Sequence, residues 1–175
     1  MPDLAPALTR MRAMIEADLA AVLAWRNHPD VRHSMFSSAE IALEDHQRWF
    51  ENSARDPRRH LLVFERQGEP SGFVSFIVGS HPKVADWGFY TAPGAPRGTG
   101  RAMGQHALAH AFDVLALHKV CGQALEHNDR SIGFHRALGF QQEGLLREHH
   151  FDGQAYRAVV SFGLLAQEWI RPSKD

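Results

Sequence analysis

The stretch Arg97-Gly98-Thr99-Gly100-Arg101-Ala102-Met103-Gly104 decides the fold through what flanks it. Before it, Val84 to Tyr90 (VADWGFY) reads as a strand. After it, Met103, Ala107, Leu108, Ala111, Phe112 and Leu115 recur at helical spacing, so a long helix begins near Ala102. The first N–H groups of a helix lack intrahelical partners and carry a partial positive charge. Glycines let an anion approach them closely, and Arg97 and Arg101 add cationic donors. The pattern calls for a pyrophosphate ligand. A Walker A loop is excluded, because no Gly-Lys-Ser/Thr is present.

Upstream, His60 to Glu65, Gly72 to Val78 and Val84 to Tyr90 are apolar runs separated by Gly/Pro turns, an antiparallel meander. A meander argues against a dinucleotide-binding βαβ unit. Earlier still, Leu8 to Ile15 forms a first strand after a loose terminus over residues 1–8. Asp18 reads as the N-cap of a helix carrying Leu19, Val22, Leu23 and Trp25, broken at Asn27-His28-Pro29-Asp30. A second helix over Leu43 to Ala54 has few apolar positions, chiefly Leu43, Trp49 and Phe50, and belongs on the surface or beside a cleft. Downstream, Lys119 to Leu125 is a strand, and Asn128 and Asp129 cap a helix that Gly139 stops. Leu145 to His150 and Tyr156 to Leu165 pair around Asp152-Gly153. The order β-α-α-β-β-β-α-β-α-β-β makes an α+β domain with a mixed sheet of about seven strands and four helices.

A chain of 175 residues and 19.7 kDa has the size of one domain, here residues 1–175 with a core over about 8–169. The formal charge of -1 lacks the basic excess of a nucleic-acid binder. No apolar run is long enough to span a bilayer, and Met1 to Pro6 lacks the regions of a signal peptide, so the expected compartment is the cytoplasm. The single cysteine, Cys121, excludes an intramolecular disulfide and reads as a small buried residue. His106 and His110 have metal-ligand spacing but no third ligand, so no metal is expected.

The glycine-rich segment resembles the acetyl-CoA loop of the GNAT superfamily of N-acetyltransferases, whose pattern Arg97, Gly100 and Ala102 match. Asn128-Asp-Arg-Ser131-Ile-Gly-Phe134-His135-Arg-Ala-Leu138-Gly139-Phe140 is similar to the second block of that family, in the right order and separation. The resemblance implies the GNAT fold, with a splay between the fourth and fifth strands that admits the pantetheine of acetyl-CoA. It implies direct attack of a neutral amine on the thioester in a ternary complex. A main-chain N–H at Phe89 or Tyr90 would polarise the carbonyl. Arg97, Gly98, Thr99, Gly100, Arg101, Ala102 and Met103 would hold the phosphates. Asn128, Ser131 and Phe134 would order the loop or pack near the cofactor. Where the family commonly has a tyrosine that protonates the leaving thiolate, this chain has His135. Imidazole can donate a proton near neutrality, or it can serve the fold as a hydrogen-bonding residue.

Peripheral segments narrow the resemblance. Leu23 to Arg32, Met35-Phe36-Ser37, Trp87 to Tyr90, Leu117-His118-Lys119, Leu146 to His149 and Phe162 to Leu165 are similar to the subgroup that serves pseudaminic acid biosynthesis. That subgroup acetylates the 4-amino group of a UDP-4-amino-4,6-dideoxy-N-acetyl sugar. Such a substrate needs cations for its diphosphate, which Arg26 and His46 could supply, and a stacking or apolar surface, which Met35, Phe36 and Trp49 could form. Ser75 would be the base or water relay, with Glu126 in reserve. Other acceptors stay open: a protein α-amine as in Rim-type enzymes, a small polyamine, or none, in a non-catalytic acyl-CoA-binding domain. A homodimer is among the assemblies allowed.

Overall fold

The computed structural model describes residues 8–172, so all but Leu8 of the N-terminal segment lies outside it. β1 (Thr9–Ala13) passes through a 3-10 turn (Glu16–Asp18) into α1 (Leu19–Asn27), α2 (Pro29–Arg32) and α3 (Leu43–Arg55). β2 (Arg59–Arg66), β3 (Glu69–Val78) and β4 (Val84–Thr91) follow as the meander. Then come α4 (Thr99–Ala109) with a π-helical last turn (His110–Val114), β5 (Lys119–Leu125), α5 (Asp129–Ala137), β6 (Gln141–Phe151) and β7 (Tyr156–Leu165). The strands form one sheet in the order β1-β2-β3-β4-β5-β7-β6. β4 and β5 run parallel and the other neighbours antiparallel. No helix of the described residues is long and apolar enough to cross a membrane.

The seven strands and the α+β class stand as expected, but there is a fifth helix. Pro29 ends α1 and then restarts the chain as the first residue of α2, where a missing N–H does no harm. His28 caps that turn, its Nδ1 accepting the Asp30 N–H at 3.3 Å. α4 begins at Thr99, before Ala102, because Gly98 takes a left-handed φ of 89° and turns the chain straight into the helix. β6 begins at Gln141, earlier than Leu145, its exposed polar start pairing with Gly163 and Phe162. Asp18 occupies the N-cap position without capping. Its carboxylate instead accepts from both Arg12 Nη1 (2.7 Å) and Nη2 (2.9 Å) and from the Ile15 N–H (2.9 Å).

Period-2 alternation divides the sheet into two faces. Val74, Phe76, Ala85, Trp87 and Val120 meet Met103, Ala107, Leu108 and Leu138 under α4 and α5. Val63 and Phe73 meet Met14, Leu19 and Val22 under α1, with Trp25, Trp49 and Tyr90 at the margin. The expected splay is present: β4 and β5 pair only at Val84–Lys119, Ala85–Val120 and Asp86–Cys121. Beyond that point β4 stays with β3 as far as Thr91, and β5 stays with β7 as far as Leu125.

Four histidines, His46 and His135 fully buried and His106 and His110 in part, are held below the ordinary value of 6.5, chiefly by desolvation. The unfolded chain takes up protons at that ordinary value and the folded chain does not. Stability is therefore complete above it and falls as the pH drops toward the folded values, by up to about 1.4 kcal/mol per pH unit for each group that stays neutral. Urea midpoints should fall clearly between pH 7.5 and 5.5. Equal midpoints would mean that these imidazoles titrate as freely in the fold as in the unfolded chain.

Candidate active site

Main-chain alternation decides which groups face the opening between β4 and β5. The Val84 carbonyl accepts from the Gly79 N–H (3.2 Å), and the Ala92 N–H donates to the Ser71 carbonyl (2.9 Å). Even-numbered residues of β4 thus exchange bonds with β3, and Trp87, Phe89 and Thr91 turn their N–H and C=O groups toward β5. On β5, the Glu126 N–H donates to the Ala158 carbonyl (3.0 Å), which leaves Gln123 and Leu125 turned toward β4. Of the two residues expected to offer an N–H to a thioester carbonyl, Phe89 faces the slot. Tyr90 is engaged with β3, and its side chain serves the opposite face.

The loop narrows in the same way. Thr99 N–H donates to the Pro96 carbonyl and Ala102 N–H to the Gly98 carbonyl, both at 3.1 Å. Among the described residues, the N–H groups of Gly98, Gly100 and Arg101 find no carbonyl and remain for a ligand. Arg97 and Arg101 are exposed beside them. A Cβ at Gly100 would meet only Thr91 and Phe134, at 3.8 and 4.0 Å, so the approach is open. Thr99 and Met103 turn away from it. The Thr99 side chain is buried with its hydroxyl 3.3 Å from Arg66 Nη1, and Met103 packs into the core against Gly72.

α5 closes this side. Asn128 caps it, Oδ1 accepting the Ser131 N–H at 3.1 Å, while Nδ2 reaches the Ser34 carbonyl at 3.5 Å. Phe134 lies against Phe89, ring centroids 4.6 Å apart, and lines the approach to the loop. A slot with inward main-chain donors at one end and a helix N-terminus at the other fits an extended thioester ending in a pyrophosphate.

The opposite face carries a cavity of about 300 Å³ lined by Arg26, Ile41, Asp45, His46, Trp49, Phe73 and Tyr90. It brings together three of the residues expected for the acceptor, Arg26, His46 and Trp49. Arg26 Nη2 donates to the Ser37 carbonyl (2.8 Å), but its Nη1 is buried without a partner. His46 Nε2 is also buried without a partner, its ring stacked on Trp49 at 5.1 Å. Burial lowers the Arg26 guanidinium, helped by the like charge of Arg32 and opposed by Tyr90. Burial also raises the Tyr90 phenol above its ordinary value. Met35 and Phe36 stand outside the lining, with Phe36 exposed and edge-on to His150 at 5.3 Å. Phe73, Ile41, Asp45 and the Tyr90 side chain are additions to the expected set. Phe73 was within reach, since it lies two residues before Ser75 on the same face of β3.

Ser75 opens onto this face where Gly88 faces it across the ladder, and a Cβ at Gly88 would lie 3.3 Å from Ser75 Oγ. Glu126 stands beyond the end of β5, exposed, with Oε1 accepting the Ala158 N–H at 3.1 Å. That bond ties it to β7. His135 has only 1% of its surface exposed. Its Nε2 accepts from Trp87 Nε1–H at 3.1 Å, and its Nδ1–H donates to the Ser131 carbonyl at 2.8 Å. The acid role expected for it finds no support in this geometry, because both ring nitrogens are engaged. Cys121 is half-buried rather than buried, with burial raising its thiol.

A model of the acetyltransferase (GNAT) domain matches residues 9–141. The chain belongs to this family. It is an acyltransferase that uses acetyl-CoA as co-substrate for N-acetylation. Among its relatives, acetyltransferase PseH of Campylobacter jejuni is 24% identical over 124 residues, covering 70% of this chain and 76% of the relative. Spermidine N(1)-acetyltransferase of Escherichia coli K12 is 23% identical over 167 residues, covering 94% and 90%. The structure of spermidine N-acetyltransferase from Vibrio cholerae in complex with CoA and spermine superposes with a TM-score of 0.85 at 22% identity, over 91% of this chain and 96% of that one. The fold is shared with this GNAT structure.

Proposed function

We propose that the acceptor is the amine of a nucleotide-linked amino sugar, of the UDP-4-amino-4,6-dideoxy-N-acetylhexosamine type that serves pseudaminic acid biosynthesis. The observation that carries this reading is Arg26 Nη1, a cavity-lining donor buried without a partner, with Arg32 Nε likewise unpartnered and its charge close enough to act on Arg26. His46, kept neutral by burial and bonded to the Leu19 main chain, leaves Nε2 as an acceptor and does not serve the diphosphate as expected. A buried donor without a partner costs about 1–3 kcal/mol. A diphosphate would satisfy the guanidinium donors, whose forks suit phosphate oxygens. Trp49 and Phe73, with centroids 5.9 Å apart, offer an aromatic surface for the base or sugar.

In this reading the sugar amine reaches the thioester from the α1/α3 face. The substrate's ammonium group first loses one proton to solvent through a water held at the Ser75 hydroxyl, since a serine alone is a poor base, and the neutral amine then attacks. The Phe89 N–H takes the developing oxyanion. The C–S bond then breaks, and the thiolate collects a proton from the attacking nitrogen or from water in the slot. A thiol of pKa about 8.5 needs no strong acid.

A polyamine acceptor is the second reading, favoured by the longer match to the spermidine enzyme, 94% of this chain against 70% for PseH. Asp45 is the one carboxylate in the cavity lining, against two unpartnered guanidinium nitrogens nearby. Release of CoA thiol should be measured with the UDP-amino sugar, spermidine and ribosomal N-terminal peptides as acceptors. Turnover is expected with the UDP-sugar. Turnover with spermidine or peptide alone would overturn the acceptor assignment and leave the cofactor site standing.

A further inference from the structure

We infer that the Trp87–His135 hydrogen bond, seated over Gly122, is a wedge that fixes where β4 and β5 part, which makes His135 a positioning residue for the acetyl-CoA slot. The inference rests on acetyl-CoA occupying that slot and is independent of the acceptor. The last β4–β5 pair is Asp86–Cys121, so Trp87 and Gly122 are the first residues past the branch point. At that point the indole of Trp87 and the imidazole of His135 meet beneath the sheet, 8% and 1% exposed. Gly122 makes room for them. A Cβ there would lie 2.7 Å from Trp87 Nε1 and closer still to His135 Nε2.

The two rings are held from every side. His135 stacks on Phe162 of β7 at 4.7 Å with an interplanar angle of 5°, and stands edge-on to Phe140 at 5.1 Å. Trp87 packs against Phe89 at 4.7 Å and stacks on Phe140 at 5.1 Å. Phe89 is the residue whose N–H faces the slot, so a shift of Trp87 would carry that donor with it. The hydrogen-bond directions also fix the chemistry. Trp87 Nε1 can only donate, so His135 Nε2 must accept. The single ring proton then sits on Nδ1 and points at the Ser131 carbonyl. A protonated imidazole would set two N–H groups against each other. The ring facing Trp87 carries no titratable or charged neighbour in these contacts: Phe89, Phe134, Phe140 and Phe162 surround it. The neutral Nδ1–H tautomer persists through the working pH range, and the ring supplies a strut.

The test is a double-mutant cycle of Trp87→Phe, His135→Phe and both together. A strut predicts that each single change raises the Kd for CoA and the KM for acetyl-CoA about tenfold, with kcat changed less and the double variant no worse than either single. The shape of the kcat profile between pH 6 and 9 should not change. A proton donor predicts the opposite: His135→Phe lowers kcat, removes its high-pH limb and spares the Kd, while Trp87→Phe does neither. That result would overturn the inference. The wild-type protein provides a check that needs no variant to fold. Its imidazole nitrogen resonances should report the Nδ1–H tautomer, unchanged from pH 5.5 to 8, and the Trp87 indole N–H should shift when CoA binds. Titration of the ring within that range would overturn the inference. Loss of CoA binding by the wild-type chain would instead indict the slot.

Discussion

Gly100→Asp is expected to weaken acetyl-CoA binding by about a hundredfold while leaving the fold intact. The position lies in the first turn of α4, between N–H groups of Gly98 and Arg101 that have no internal acceptor. Its own Cβ would enter open space bounded by Thr91 and Phe134 at ordinary contact distance, so steric strain is not the mechanism. A carboxylate in the first turn favours the helix itself, by about 0.3–1 kcal/mol. The same charge stands where the pyrophosphate must sit. Like charges about 4–5 Å apart at a partly exposed site repel by roughly 2–3 kcal/mol, which corresponds to roughly thirty- to a hundredfold. The penalty should shrink as salt is raised, because the site is open. Calorimetry with CoA, beside a thermal melt, separates the two effects. Unchanged affinity in a normally melting variant would move the pyrophosphate away from α4.

The sequence revealed the parts whose chemistry is local. Gly98 and Gly139 sit at φ values of 89° and 92°, and their neighbours announce a turn into or out of a helix. The strands were readable because β2, β3, β5 and β7 are apolar runs between turn residues. The rest depends on distant partners. That an imidazole at position 135 would be locked in place follows from Trp87 on β4 and Gly122 on β5, neither of them near it in sequence. The choice between Phe89 and Tyr90 depends on ladder parity, which a turn of one residue more or less would invert. Thr99 and Met103 match the loop motif by position but face the core, because the helix begins earlier than its apolar stripe suggested. Asp18 looked like a cap, and became the partner of Arg12 because β1 passes beside it. Met35 and Phe36 follow α2, the helix that Pro29 hides in the sequence, and so sit apart from the cavity they were expected to line.

Arg26→Leu separates the two acceptor classes by the sign of its effect, which makes it more informative than a loss of activity alone. Arg26 reaches the cavity from α1, anchored by one bond to the Ser37 carbonyl and leaving Nη1 free of protein partners. If Nη1 binds a phosphate oxygen, its removal deletes one charge-assisted hydrogen bond of about 1.5–3 kcal/mol. The KM for a UDP-amino sugar should then rise about thirtyfold, within a range of roughly ten- to a hundredfold, and that for acetyl-CoA should stay unchanged. Arg26→Lys keeps the charge but loses the fork, so it should recover only part of the loss. A polycationic acceptor reverses the electrostatics. Taking a positive charge out of the cavity would strengthen the hold of Asp45 on an ammonium group, and the KM for spermidine would fall. Steady-state kinetics on both variants with both acceptors therefore distinguishes the readings. A lowered spermidine KM together with spermidine turnover would sink the nucleotide-sugar assignment. A raised UDP-sugar KM that Lys partly restores would place the diphosphate on Arg26.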